Sequence, residues 1–313
     1  MGSLREIATG QVRVLEPEHI VGRAPPPGCS QTLQPPYVSA LHAALRWTGQ
    51  NWELKDLNSR NGTYLDGRRI QPTGSLKLKK GSRIGFGTRK GEWEIVDADP
   101  PSIMAVPLDG GDPVRLEGDM IALPSSDDPN ATIYRSADGG WVLEQADEAT
   151  ALLANAQVFE VMGRVWRFCC SELSPGTLAA SSCHDAVAPH EIGTVSLVFA
   201  VSRDEEYVRV GATCGDREID LGSHAYHYLL LTLARRRLED AAAGLPETSC
   251  GWVDLDELAR DPTMAPPRLN IDVYRIRTQL GKLGFINAAD IIERRPSARQ
   301  LRIGTRHLAI EVL

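Results

Sequence analysis

Between residues 12 and 98 apolar and polar side chains alternate in short runs. The runs are Ala43-Ala44-Leu45-Arg46-Trp47, Trp52-Glu53-Leu54-Lys55-Asp56-Leu57, Leu76-Lys77-Leu78, Ile84-Gly85-Phe86 and Trp93-Glu94-Ile95-Val96. Turn-forming residues separate them: Thr48-Gly49-Gln50-Asn51, Asn61-Gly62, Asp66-Gly67 and Lys80-Gly81. A period of two over short runs, punctuated this often, predicts a β-sandwich or barrel. The proline-rich stretch from Ala24 to Pro36 is expected to be loop, because proline fixes φ and removes a backbone donor.

Residues 103–172 are also strand-like, and they echo the first segment. Gly140-Trp141-Val142-Leu143-Glu144 resembles Asn51-Trp52-Glu53-Leu54-Lys55. Gln157–Val161 before Val165-Trp166-Arg167-Phe168 resembles Ser82–Phe86 before Glu92–Ile95. The tryptophans lie 41 residues apart in the first copy and 25 in the second, most of the shortening falling on the Asn-Gly and Asp-Gly turns. Two readings stay open: a degenerate second sandwich without its long loops, or an unrelated β-rich domain.

Residues 173–194 are small, polar and Pro/Gly-bearing, and read as a linker. Strand-like runs follow at Val195–Val201, Tyr207–Gly211 and Arg217–Leu221. Helical spacing then appears: Tyr226, Leu229, Leu230, Leu233 and Leu238 share a face over 223–240. A short helix is expected at Leu255–Arg260 after Asp254, and a third on Leu269, Val273, Ile276 and Leu280. Asp290–Arg295 and Arg299–Gly304 then read as a hairpin around Pro296-Ser297-Ala298.

Charge sharpens this division. The net charge of −7 is uneven: residues 1–100 carry 14 basic against 10 acidic groups, residues 101–194 carry 4 against 14, and the last stretch, 262–313, carries 9 against 4. Two basic regions flank an acidic middle, which suits two separate anion-binding surfaces. No apolar run reaches the ~18 residues of a membrane span, and the N-terminal stretch has no secretory pattern, so a cytoplasmic protein without membrane contact is expected. The six cysteines show no CxxC spacing; Cys169-Cys170 with Cys183-His184 is the nearest approach to a metal cluster, and reduced structural thiols are the expectation.

Three blocks in the first hundred residues carry the candidate chemistry: Gly22-Arg23, Ser39-x-x-His42, and Asp56-Leu57-Asn58-Ser59-Arg60-Asn61-Gly62-Thr63. Their order and spacing resemble the forkhead-associated (FHA) family over about residues 12–98. The resemblance implies a β-sandwich that binds phosphothreonine, with Arg23, Ser39, Arg60 and Asn61 contacting the peptide. It assigns structural roles to Gly22, His42 and Gly62, His42 bracing the loop. The chemistry agrees: a phosphothreonine brings about −1.5 to −2 charges and strong acceptors, which need a fixed guanidinium and small neutral donors. Arg23 offers the fork, Ser39 a short hydroxyl, and Asn61 an amide that can grip peptide backbone. Glycines at positions 22 and 62 are expected to permit tight turns. Ala40 and the Pro25-Pro26-Pro27 run depart from the family pattern.

The order of strands, three helices and a hairpin over 195–313 resembles the winged-helix output domain of response regulators. The stretch Leu269–Leu280 has the spacing and the Arg-x-Arg of that family's recognition helix. The resemblance implies DNA contacts from Tyr274, Arg275, Arg277 and Gln279, with Arg294, Arg295 and Arg299 on the wing meeting phosphate. Against it, Asp272 would repel phosphate and the domain is near neutral.

The expected fold is therefore multidomain: an all-β FHA sandwich at 1–100, a β-rich middle at 101–172 (FHA-like under one reading), a linker at 173–194 and an α+β winged helix at 195–313. No Walker loop, HExxH or G-x-S-x-G occurs, so no enzyme activity, cofactor, metal or small-molecule substrate is expected. The expected partner is a threonine-phosphorylated protein, such as a Ser/Thr kinase or its substrate. Double-stranded DNA is a second partner if the protein regulates transcription; the alternative is a signalling adaptor whose winged helix contacts protein.

Overall fold

The structure, a computed structural model, describes residues 1–24, 30–72, 74–136, 138–145, 150–170, 190–215, 217–261, 264 and 266–313. It divides into two compact units, Met1–Arg115 with the described part of Ala154–Ser181, and Leu116–Leu153 with the described part of Ser182–Leu313.

In the first unit a six-stranded and a five-stranded sheet form the expected sandwich. One sheet runs in the order Val12–Val14, Ser3–Glu6, Trp93–Asp97, Arg83–Phe86, Thr63–Leu65, Arg68–Arg69. The other runs Gln31–Thr32, Glu18–Gly22, Ala43–Trp47, Trp52–Asp56, Ser75–Lys77. The alternation read in the sequence is the cause: Trp52, Leu54 and Asp56 are buried while Glu53 and Lys55 face outward. Leu4, Leu15, Leu45, Trp52, Leu54, Ile84, Phe86 and Ile95 fill the core.

The strand order repeats. Met104–Pro107, Val114–Arg115, Met120–Pro124, Pro129–Arg135, Trp141–Gln145, Ala151–Leu153, Val158–Val161 and Arg164–Cys169 pair among themselves. They do so as Ser3–Glu6, Val12–Val14, Glu18–Gly22, Ala43–Trp47, Trp52–Asp56, Ser75–Lys77, Arg83–Phe86 and Trp93–Asp97 do, strand for strand in chain order. Trp166 stands opposite Phe159 as Trp93 stands opposite Ile84. What the second copy lacks is the length of two connections, which in the first copy also carry strands Gln31–Thr32, Thr63–Leu65 and Arg68–Arg69. Its segment 125–128 replaces the long connection 23–42, and 146–150 replaces 57–74. Those two connections hold Arg23, Ser39, Arg60 and Asn61 in the first copy. The stretch 101–172 does not stay together as one domain: its sheet of 104–107, 114–115, 158–161 and 164–169 lies in the first unit, and the sheet of 120–153 in the second.

In the second unit, Arg217–Gly222, Val208–Cys214, Ser196–Val201 and His307–Val312 form one sheet, the last pair parallel. Helices α1 (His227–Ala242), α2 (Leu255–Leu258) and α3 (Pro266–Lys282) follow the expected order. A small sheet joins Val253–Asp254, Gln300–Ile303 and Ile292–Arg295, the last two making the anticipated hairpin. One core takes in Phe199, Leu229, Leu233, Val273, Ile276 and Leu280 together with Met120 and Ala122 from the middle stretch. Most of the expected linker lies outside the described residues; its end forms a two-residue strand, His190–Glu191, paired parallel with Phe285–Ile286. No described helix is long and apolar enough to cross a membrane.

Candidate functional site

The loops between the sandwich strands bring the first-domain residues together. Arg23 follows strand Glu18–Gly22, and its backbone N–H donates to the Ser39 carbonyl at 2.9 Å. Its Nε donates to the Val38 carbonyl at 2.6 Å, which fixes the direction of an exposed guanidinium. The Arg60 backbone N–H donates to Ser39 Oγ at 3.0 Å. Asn61 Nδ2 donates to the Tyr37 carbonyl at 2.7 Å. Arg23, Ser39, Arg60 and Asn61 thus share one cluster, and no carboxylate pairs with either arginine among the described residues. Two guanidinium groups, a hydroxyl and an amide on one exposed rim make a receptor for an anion attached to peptide backbone.

Beneath them His42 is fully buried. Its Nδ1 accepts from the Ser39 N–H at 3.0 Å, so the ring proton sits on Nε2, which reaches the Gly62 carbonyl at 3.2 Å. Burial lowers its pKa, with the Gly62 carbonyl and Asp56 opposing, and the ring is held neutral. His42 therefore links the loop of Ser39 to that of Gly62 from below, and its edge packs on Phe86 with ring centroids 5.9 Å apart.

Asp56 organises the second loop, a role the sequence reading did not assign. It accepts from Ser59 N–H (3.0 Å), Ser59 Oγ (2.5 Å) and Thr63 Oγ1 (2.6 Å). Burial alone would raise this carboxyl; the three donors outweigh it and leave the pKa lowered. Gly62 has φ +82°, a backbone conformation that L side chains rarely adopt, so glycine is favoured there; a Cβ would also meet the end of the exposed Arg69 side chain, which can move aside. Gly22 differs from expectation: it closes strand Glu18–Gly22, pairs with Thr32 and is not at a turn of positive φ. Tyr37, also missed, supplies the carbonyl that orients Asn61.

The FHA family model matches residues 19–87. An FHA domain occupies this part of the chain. The FHA domain-containing protein FhaB of Mycobacterium tuberculosis is 32% identical over 77 residues, which is 25% of this chain and 47% of the relative. FhaB of Mycolicibacterium smegmatis is 37% identical over 68 residues, 22% of this chain and 41% of the relative. The match therefore spans less than half the length of these relatives. Among solved structures, Mycobacterium tuberculosis EmbR in complex with a low-affinity phosphopeptide is 26% identical with a TM-score of 0.26, over 30% of this chain and 23% of that one. An FHA domain studied for phosphothreonine-dependent interactions is 30% identical with a TM-score of 0.25, over 30% of this chain and 91% of that one. The FHA family model over residues 19–87 is what establishes the domain, and it covers under a third of the chain.

The residues expected to contact DNA fare differently. Arg277 is 1% exposed: Nη1 and Nη2 pair with Glu144 at 2.8 and 3.2 Å, and Nη2 also donates to the Ile292 carbonyl at 2.6 Å. Arg294 Nε lies 2.8 Å from the same Glu144, and its Nη2 donates to Asn270. Gln279 bonds the Leu221 carbonyl at 2.7 Å and His227 at 3.0 Å, and Tyr274 is buried. These four are withdrawn from a DNA face because α3 packs against strand Pro129–Arg135 and strand Trp141–Gln145 supplies Glu144. Asp272, expected off the apolar seam, is buried and paired with Arg268 at 3.3 Å. Arg275 remains exposed, Arg299 lies 3.7 Å from Asp256, and Arg295 stacks 3.9 Å over Trp252.

Among the described residues no His, Cys, Asp or Glu cluster could hold a metal ion. Cys183 and His184 lie outside those residues. Cys169 is buried beside the Glu16–Arg167 pair, and burial raises its thiol, which makes it a poor nucleophile.

Proposed function

We propose that the chain is a phosphothreonine-dependent signalling protein whose FHA domain docks onto a threonine-phosphorylated protein, a Ser/Thr kinase or its substrate. The observation that carries this is the cluster of Arg23, Ser39, Arg60 and Asn61 braced by His42. Arg23 and Ser39 would take the phosphate, Asn61 the peptide backbone, and Arg60 a flanking acceptor. A binding role without catalytic chemistry, in the cytoplasm, fits the motif content. The test is fluorescence anisotropy of the full chain with a labelled degenerate phosphothreonine peptide pool, against phosphoserine and unphosphorylated pools. Binding of the phosphothreonine pool alone, lost in Arg23→Ala, is expected; equal binding of all three pools would overturn the reading.

The C-terminal unit, with its three helices and terminal hairpin, carries the output as a winged helix. Regulation of transcription on double-stranded DNA would rest on Arg275, Arg295 and Arg299. The burial of Tyr274 and Arg277 and the internal bonds of Gln279 and Arg294 favour a second reading, an adaptor whose winged helix contacts protein. Mobility shift of the full chain on genomic DNA fragments, under salt titration, separates them: specific, salt-sensitive shifts belong to the first alone.

A further inference from the structure

The sheet that holds Ser196–Val201 ends on two edge strands of six residues, Arg217–Gly222 and His307–Val312. Every other edge strand among the described residues has five residues or fewer. An edge carries a row of backbone groups without strand partners, and proteins blunt it with charge, proline, bulges or shortness. Arg217–Gly222 is blunted: its pairing shifts register between Val210 and Gly211, and its Asp220 forms an ion pair with Arg209. His307–Val312 is not. All six of its residues hold an unbroken parallel register with Ser196–Val201, and it contains no lysine, arginine or proline.

One bond fixes which backbone groups face the open side. The Leu313 N–H donates to the Val201 carbonyl at 2.8 Å. Alternate residues of a strand turn their backbone groups to the same side, so His307, Ala309 and Glu311 bond toward Ser196–Val201. Leu308, Ile310 and Val312 therefore turn their N–H and C=O groups to the open edge. The side chains alternate as well: Leu308 and Ile310 pack against the core, while His307, Ala309 and Glu311 are exposed on the opposite face. Among the described residues no hydrogen bond or ion pair engages the side chain of His307 or Glu311. Val312 is 71% exposed.

This edge is complementary to itself. Antiparallel pairing with the same edge of a second copy must match outward-turned residues with outward-turned residues. With Ala309 on the two-fold axis, Leu308 meets Ile310 of the second copy and exchanges both N–H···O=C bonds with it. On the exposed face His307 then stands across from the Glu311 carboxylate of the second copy. Ala309 faces its own counterpart in a pair without hydrogen bonds, where strands approach most closely and a small side chain fits. Other axes lose this match: one on His307 or Glu311 sets like groups together, and one on Leu308 or Ile310 sets His307 or Glu311 against alanine.

We propose that the occupant of this edge is a second copy of the chain, paired antiparallel through His307–Val312 about Ala309. The two four-stranded sheets become one continuous sheet, and the interface is isologous, the same surface serving on both sides.

The test is sedimentation velocity of the full chain from about 1 to about 200 μM, the span over which a modest interface associates. A monomer–dimer equilibrium is expected. Ala309→Lys sets two ammonium groups together on the axis and should weaken the dimer at least tenfold, about the least that like charges across an interface cost. His307→Glu should weaken it too, by facing Glu311 with a carboxylate. The double variant His307→Glu/Glu311→Lys restores opposite charges in this register alone and should return the association to within about threefold of the parent. Thermal melting should be unchanged in all three, since these side chains lie on the exposed face. A chain that stays monomeric throughout, or a dimer indifferent to Ala309→Lys, would overturn the proposal. A double variant as weak as His307→Glu alone would overturn the register and with it the pairing about Ala309.

Discussion

The Ser39 hydroxyl accepts a hydrogen bond from the Arg60 backbone N–H at 3.0 Å, joining two loops whose residues are 21 apart in sequence. Because Oγ is the acceptor there, its own O–H is left to donate outward. Ser39 thus ties the two loops and, under the proposed function, donates to the ligand. Ser39→Ala should remove both, lowering phosphopeptide affinity by about 1.5–3 kcal/mol, the scale of a hydrogen bond to a charged group. Arg60→Ala keeps the backbone N–H and should cost less. Calorimetry on the two variants decides; an Arg60→Ala loss larger than that of Ser39→Ala would contradict this division of roles.

Gly62 is a backbone requirement. Its φ of +82° is strained for any residue with a Cβ, and the end of the Arg69 side chain would have to move aside as well. Gly62→Ala should destabilise the protein by about 1–3 kcal/mol and weaken phosphopeptide binding, because the His42 bond to the Gly62 carbonyl moves with it. A denaturation midpoint equal to that of the parent protein would show that the turn can relax.

The first-domain cluster was legible because its chemistry sits in three short blocks whose spacing is visible in one dimension. The strand boundaries there also followed from the alternation of Trp52–Asp56 and its neighbours. Asp56 was inside a quoted block, yet its role depends on three donors turning back toward it, which spacing suggests but cannot fix. The repeat was read from two tryptophan-centred echoes; eight matching strands emerged only from the pairing. Arg277 was misread for a physical reason: the helix period places it off the Leu269–Val273–Ile276–Leu280 seam, where solvent is the default. Glu144, 133 residues earlier, removes it from solvent, and a long-range partner leaves no local signature.

Glu144 is buried and paired with both Arg277 and Arg294. Burial raises its carboxyl, but the two guanidinium groups outweigh that and the net pKa is lowered. Glu144→Ala would leave two buried cations without their counter-ion. The expected loss is about 3–5 kcal/mol, the range for breaking a buried pair from one side. Urea unfolding of the full chain, followed by the fluorescence of each unit's tryptophans, should show the loss in the transition of the C-terminal unit. An unchanged transition would mean that the arginines find solvent.

Three histidines, His19, His42 and His227, have pKa values lowered from 6.5, in each case chiefly by burial. The unfolded chain therefore binds more protons than the folded one just below pH 6.5, and unfolding free energy rises with pH there. Their contribution is intact above pH 6.5 and is lost as pH falls below 6.5 toward the lowered folded-state values. For His42 the local consequence is specific: a proton on Nδ1 would face the Ser39 N–H and break the brace. Urea midpoints should decline between pH 7 and 5, and His42→Asn should flatten part of that decline. A midpoint constant across this interval would show that the rings protonate in the folded state without penalty.

The arrangement of α3 sets a limit on any DNA interaction. With Tyr274, Arg277, Gln279 and Arg294 buried or internally bonded, Arg275, Arg295 and Arg299 are the exposed cations of the seven residues expected at the interface, Arg295 also donating to the Thr248 carbonyl and Arg299 lying 3.7 Å from Asp256. Each phosphate neutralised contributes about −0.9 to the slope of log K against log salt, so three contacts give a slope of about −3. Arg275→Ala should reduce its magnitude by about one, whereas Arg277→Ala should act through stability and leave the slope of the folded protein alone. A slope of about −6 or steeper would require more cations than this surface offers, and with it a rearrangement that releases α3 from Glu144.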